Sequence, residues 1–168
     1  AAGEYRERIQ AYMLKAIREA KSRTSWTAPD AAYESAMQLF VAALLERREG
    51  NVFVDELDSL VRRIGRLGML NGLAQLACKL TSPGVPDTYQ GTETWDFSLV
   101  DPDNRRPVDF AMRRAMLTSI RDAMRAPADL PSLLRSMLAS LEDGRAKLYL
   151  TWRALALRRE QPALFNHG

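Results

Sequence analysis

Cysteine and histidine are nearly absent: Cys78 and His167 are the single copies in 168 residues. One cysteine excludes a disulfide within the chain. A Cys/His zinc site needs more ligands of those types than the sequence offers. A Ser-His-Asp triad has only His167 to draw on, beside the last residue, and chain ends rarely hold a fixed geometry. Cys78, in LAQLACKL, occupies an apolar helical position and reads as a small buried hydrophobe rather than a nucleophile. Long apolar runs are also missing; residues 40–45 fall far short of the roughly 20 needed to cross a bilayer. The opening AAGEYRER has neither an apolar leader core nor an initiator Met, as expected of a processed or cut-out chain. Charge of one sign is scarce: 24 Lys and Arg face 21 Asp and Glu, interleaved, for a net +3. A nucleic-acid face would concentrate the basic residues. The pattern reads instead as a solvated surface, with neither nucleic acid nor membrane as partner.

What is present suits a soluble globular chain of about one domain. Apolar residues make up 46% and charged residues 27%. From Glu4 to Lys21, residues Ile9, Tyr12, Met13, Ala16, Ile17 and Ala20 recur at helical steps. Glu4 and Arg8 are spaced to pair along that helix. A second helix begins near Pro29 and Asp30, with Tyr33, Met37, Phe40, Val41, Leu44 and Leu45 as its stripe. Gly50 and Asn51 are its expected end. The third starts near Asn51 and carries Phe53, Leu57, Leu60, Val61, Ile64 and Leu67. Gly65, Gly68 and Gly72 then either break it or permit close packing. A break at Gly68 is the expectation, with a further helix over 70–80. Beyond the central loop, one helix opens at Pro107 and holds Phe110, Met116, Leu117, Ile120 and Met124. A linker over 126–131 leads to a helix bearing Leu133, Leu134, Met137, Leu138 and Leu141. Asp143-Gly144 is a turn signal, and a last helix spans about 145–160, closed by Pro162. The periodicity thus predicts a mainly α chain of about six or seven helices with at most one or two short strands. It divides as helices over 1–81, an irregular stretch over 82–107 and helices over 107–168, one helical region in all.

The stretch 82–107 stands apart. Pro83, Pro86, Pro102 and Pro107 forbid a helix through it. Only Val85–Gln90 has room for a short strand. Its aromatics argue for order, and long ordered loops are usually functional. TYQGTETWDFSLVDPDNRRPVDF mixes acids, arginines, an amide and aromatics, a combination that binds sugars: aromatic faces cover apolar ring faces while polar groups bond the hydroxyls. Structural roles fit the same residues. Asp101-Pro102-Asp103-Asn104 suits an Asx-type turn, Arg105 and Arg106 can pair with Asp101, Asp103 or Asp109, and Trp95 and Phe97 can be core. Glu93 and Asp96 also suggest a glycosidase pair, although a retaining pair needs carboxyls about 5–5.5 Å apart.

The residues say more than the pattern. KLTSPGVPD over 79–87, YQGTE over 89–93, Trp95-Asp96 and SLVDPDNRRPVD over 98–109 resemble the malto-oligosyltrehalose synthases of the α-amylase superfamily. Ala20-Lys21, Thr24-Ser25-Trp26, residues 68–75 and residues 147–165 extend the likeness over essentially the whole chain. Thr88 and Thr94 depart from the pattern, where bulkier residues are expected.

The resemblance implies a multi-helical fragment of a (β/α)8-barrel enzyme, with Val85–Gln90 as the last barrel strand. It implies an isomerase that turns the reducing-end α-1,4 bond of a maltodextrin into an α,α-1,1 bond by intramolecular transglycosylation. An Asp nucleophile and a Glu acid/base serve such chemistry; a full barrel takes about 250 residues, and none of the catalytic motifs is in this chain. No cofactor or metal is implied, and the setting is cytoplasmic. Loops after barrel strands build the substrate face. That puts Tyr89, Gln90, Glu93, Trp95, Asp96, Asp101, Asp103, Asn104, Arg105 and Arg106 near a malto-oligosaccharide. Asp96, Asp103, Asn104 and Arg105 are the expected sugar contacts, with Trp95 or Tyr89 lining the site. Alone, the chain is expected to be inactive, and either to self-associate or to form a bundle in which 85–90 is not a strand. The alternatives are a free-standing helical carbohydrate-binding or protein-interaction module, and an independent hydrolase using Glu93 and Asp96.

Overall fold

The computed structural model describes residues 2–125 and 129–166. His167 and residues 126–128 of the 126–131 linker lie outside the described residues. Seven α-helices follow one another: α1 (Ala2–Ala20), α2 (Ala31–Leu44), α3 (Val52–Thr81), α4 (Phe110–Arg125), α5 (Leu130–Ala139), α6 (Arg145–Glu160) and α7 (Ala163–Asn166). Short 3-10 turns occupy Asp103–Arg105 and Leu141–Asp143. No strand occurs among the described residues.

By contacts the chain resolves into two compact units, one of Ala1–Arg62 with Ser98–Arg106, the other of Arg63–Phe97 with Pro107–Gly168. In the first unit α1 packs on α2. Asp30 caps α2, its carboxylate accepting the Tyr33 N–H at 3.0 Å; such a cap satisfies an otherwise orphan donor. Arg18 grips Glu34 with two bonds of 2.8 and 2.7 Å, and the Thr24 hydroxyl donates to the same carboxylate at 2.6 Å. These bonds, Arg18 first and Thr24 second, hold the Glu34 carboxyl down at about 2. The Arg18 guanidinium also lies over the Trp26 ring at 4.9 Å.

In the second unit Ile120, Met137, Leu141, Ala146 and Leu148 form the buried core, with Met69, Leu73, Met116 and Trp152 packed around it. These residues come from α3, α4, α5 and α6, with Leu141 from the 3-10 turn between α5 and α6, so the core ties four helices together. The Trp95 indole N–H donates to the Leu141 carbonyl. Arg158 donates to the carbonyls of Leu80, Ser82 and Gly84, closing the end of α3 against α6.

Several expectations change. Helix α3 runs unbroken through Gly68. A helical glycine costs only about 1 kcal/mol relative to alanine, and no proline falls within 52–81. Gly72 serves close packing: a Cβ there would lie 3.3 Å from the Trp95 ring. Helix α2 ends at Leu44, short of Gly50, because the Asn51 amide donates to the Leu44 and Glu46 carbonyls. Helix α4 begins at Phe110 rather than Pro107, as the Asp109 carboxylate accepts the Met112 N–H at 2.8 Å and so acts as the cap. Leu141 lies beyond α5 in its own 3-10 turn, and α7 was not expected. Cys78 is exposed rather than buried. It stands two residues from both Leu76 and Leu80, which turns it away from their face. Phe40 is likewise 60% exposed. Residues 85–90 form no strand, since a strand requires a paired neighbour and none is present among the described residues.

Candidate functional site

The loop residues 98–106 are built around Asp103. Both its oxygens meet Arg8 of α1 at 2.8 Å, across 95 positions of sequence. The Leu99 N–H donates to the same carboxylate at 2.6 Å. Arg106 adds an ion pair at 3.3 Å and donates to the Asp103 carbonyl at 3.0 Å. A carboxylate offers about four acceptor positions, and these partners take them. The Arg8 guanidinium, more than any other partner, holds the Asp103 carboxyl down at about 2. Arg8 is itself raised above its ordinary value by the same bond.

Around this anchor, Arg105 pairs with Asp101. Lys15 donates to the Asp101 carbonyl at 2.7 Å. Asn104 is exposed on the 3-10 turn. Arg106 also reaches Glu4 at 3.8 Å and the Ser98 hydroxyl at 3.4 Å. Five of the ten sequence-derived site residues (Asp101, Asp103, Asn104, Arg105 and Arg106) thus gather in the first unit. Between them and α1 opens a cleft of about 310 Å³ whose helical wall includes Glu7, Arg8, Tyr12 and Lys15.

The other five belong to the second unit. Glu93 pairs with Arg113 at 3.1 Å. Arg113 also donates to the Gly91 carbonyl at 2.8 Å and the Thr94 hydroxyl at 3.2 Å, so one guanidinium fixes the turn. Trp95 is partly buried, with the Lys147 ammonium 5.2 Å from its ring centre. Burial lowers the Lys147 pKa, although Asp96 and Glu93 pull it upward. Tyr89, Gln90 and Asp96 are exposed. A second cleft, about 260 Å³, lies among Gln75, Lys79, Thr88 and Lys147. Among the described residues no cluster of His, Cys, Asp and Glu is arranged to hold a metal ion.

The sequence reading missed the α1 wall. Glu4, Glu7, Arg8, Ala11, Tyr12 and Lys15 recur at steps of three and four, which is the available signal. Sequence spacing places Tyr12 in the apolar stripe and Arg8 beside Glu4; in the structure Arg8 clasps Asp103.

Known proteins place this architecture. A solved maltooligosyltrehalose synthase from Arthrobacter ramosus is 42% identical, covers 96% of this chain and superposes with a TM-score of 0.78. The chain is similar to one stretch of the maltooligosyl trehalose synthases. A further solved maltooligosyl trehalose synthase gives a TM-score of 0.83 at 35% identity, again over 96% of this chain. In two Mycobacterium tuberculosis strains a curated protein named "Putative maltooligosyl trehalose synthase" is 43% identical over 116 residues, 69% of this chain. The chain spans 15% of that curated protein's length, and 21% and 19% of the two solved chains. No family model matches it. The helical architecture expected of this stretch is the one observed. No helix among the described residues is long and apolar enough to cross a membrane.

Proposed function

We propose that the chain forms part of the substrate face of a (1→4)-α-D-glucan 1-α-D-glucosylmutase. This enzyme moves the reducing-end glucose of a maltodextrin from an α-1,4 to an α,α-1,1 bond within one molecule. The observation that carries the reading is the 42% identity to a maltooligosyltrehalose synthase over 96% of this chain. The ordered 98–106 loop supports it, because a fixed polar loop can present groups to sugar hydroxyls without a large ordering penalty. The acid/base and nucleophile belong to other parts of the enzyme, and the chain alone is inactive. Asp103 positions the loop, its acceptor sites being occupied by Arg8, Leu99 and Arg106. Asn104, Arg105 and Asp101 remain the groups turned to the malto-oligosaccharide, with Asp96, Trp95, Tyr89, Gln90 and Glu93 as the second set. The setting is cytoplasmic. In isolation the chain self-associates through exposed apolar side chains of α3, among them Leu60, Val61, Ile64 and Leu67.

The test is a chimera in which this sequence replaces the corresponding stretch of the Arthrobacter ramosus enzyme. The expected result is conversion of maltopentaose to a non-reducing product. A folded chimera without conversion overturns the reading. Conversion by the 168-residue chain alone overturns the assignment of the catalytic groups elsewhere.

A further inference from the structure

We propose that the cleft between α1 and the 98–106 loop takes a single glucosyl unit of an α-glucan, with Tyr12 as the stacking platform. This rests on the maltodextrin reading and adds a wall that the loop residues do not supply. The volume, about 310 Å³, is small for a ligand site. It lies at the low end of the roughly 300–1,000 Å³ range for small-molecule sites. One pyranose ring suits it better than an oligosaccharide.

A pyranose has an apolar C–H face and a rim of hydroxyls. Its binding calls for an aromatic face, with donors and acceptors around the edge. Tyr12 supplies the face, 38% exposed on the α1 wall. Val100 and Pro102 continue the apolar lining. At the edge, the Glu7 carboxylate accepts and the Lys15 ammonium donates. Lys15 is held by the Asp101 carbonyl at 2.7 Å. An ammonium has three donors; the Glu19 carboxylate lies 3.9 Å away, which leaves one for a hydroxyl. Arg8 and Asp103 bind each other and act as a stiff wall, which keeps the ordering penalty of binding low.

The charge around the cleft points to a neutral ligand. Its lining has four acids (Glu4, Glu7, Asp101, Asp103) and three bases (Arg8, Lys15, Arg106). An anion would meet the carboxylates, and a cation would meet the guanidinium groups. A polyol uses both signs.

The test uses the full 168-residue chain with maltotriose, followed by amide NMR, together with the chimera assayed on maltopentaose. Maltotriose is expected to shift amides within 7–15 and 99–103. Tyr12→Ala raises Kd at least tenfold, whereas Tyr12→Phe, which keeps the ring, stays within threefold. In the chimera Tyr12→Ala raises KM more than it lowers kcat. Shifts confined to other residues overturn the subsite, as does an unchanged KM in a folded, active Tyr12→Ala chimera. Either result leaves the maltodextrin reading standing. An inactive but folded parent chimera removes that reading and the subsite with it.

Discussion

Alanine placed at three glycines should give three different results, and the structure says why. Gly144 links the Leu141–Asp143 turn to α6 at φ 80°. An added Cβ there would sit 2.9 Å from the Thr94 Cβ. Left-handed backbone costs a non-glycine residue about 1–2 kcal/mol. Forcing extra volume into a packed site adds about 1–3 kcal/mol. Gly144→Ala should therefore destabilise by about 2–5 kcal/mol in all. At roughly 2–4 °C per kcal/mol for a chain of this size, the melting point falls by about 4–20 °C. Gly50 has φ 78° but open space around its Cβ direction, so Gly50→Ala pays the backbone strain alone, about 1–2 kcal/mol. Gly68 is helical, again with nothing nearby. Gly68→Ala should stabilise by up to about 1 kcal/mol. Thermal and urea unfolding followed by circular dichroism and tryptophan fluorescence measure all three. Trp26 reports on the first unit, and Trp95 and Trp152 on the second. Equal shifts for Gly144→Ala and Gly68→Ala, or a loss at Gly144 confined to the Trp26 signal, would refute the reasoning.

Other perturbations follow the same logic. Leu141 has no exposed surface, so Leu141→Ala should cost about 2–5 kcal/mol, read from the urea midpoint of the second unit. Glu34 and Asp103 both titrate near 2 in the folded chain, against ordinary values of 4.5 and 3.8. Depressed carboxyls stabilise fully above their unfolded values and lose that contribution as pH falls. The Trp26-monitored urea midpoint should hold down to about pH 4.5 and then fall towards pH 2. Glu34→Gln should lower the midpoint at pH 7 and flatten the acid slope; an unaltered slope would show that the Arg18 pair is not its source. In the chimera Arg105→Ala should reduce conversion of maltopentaose, and unchanged kinetics would remove Arg105 from the substrate face.

Helical periodicity carried most of the architecture, because a stripe such as Ile9, Met13, Ala16 and Ile17 faces one way whatever it packs against. It failed where a single contact decides. Gly68 looked like a break because propensity is local, whereas the helix continues for want of any proline. Residues 85–90 have strand-forming character, but pairing is a property of two segments, and the second is missing among the described residues. The DPDNRR run stands out as a site candidate through the family resemblance, because its composition alone suits turns and caps equally well. Its anchor does not stand out, because Arg8 lies 95 positions away and its spacing also suits a routine pair with Glu4. Long-range ion pairs leave no periodic trace. Cys78 fails for a simpler reason: its neighbours are apolar, but the helical phase puts it on their far side.

That long-range anchor bears on how a loop so rich in proline can hold one shape. Pro102 and Pro107 offer no N–H, and the stretch has few backbone bonds of its own: Asp103 N to the Val100 carbonyl and Arg105 N to the Pro102 carbonyl are the turn bonds. The side chain of Asp103 adds bonds to the Leu99 N–H, Arg8 and Arg106, and Lys15 holds the Asp101 carbonyl. Removing Arg8 should therefore loosen the loop without unfolding α1, whose own helical bonds do not depend on it. Arg8→Ala should speed hydrogen exchange at the Leu99 amide and leave the Ala11–Lys15 amides protected. Arg8→Lys should restore only part of the protection, because an ammonium cannot bridge both carboxylate oxygens in the planar fork that Arg8 makes at 2.8 Å. Undiminished protection at Leu99 in Arg8→Ala would mean that the backbone turn holds the loop by itself, and that α1 serves the cleft only as a wall.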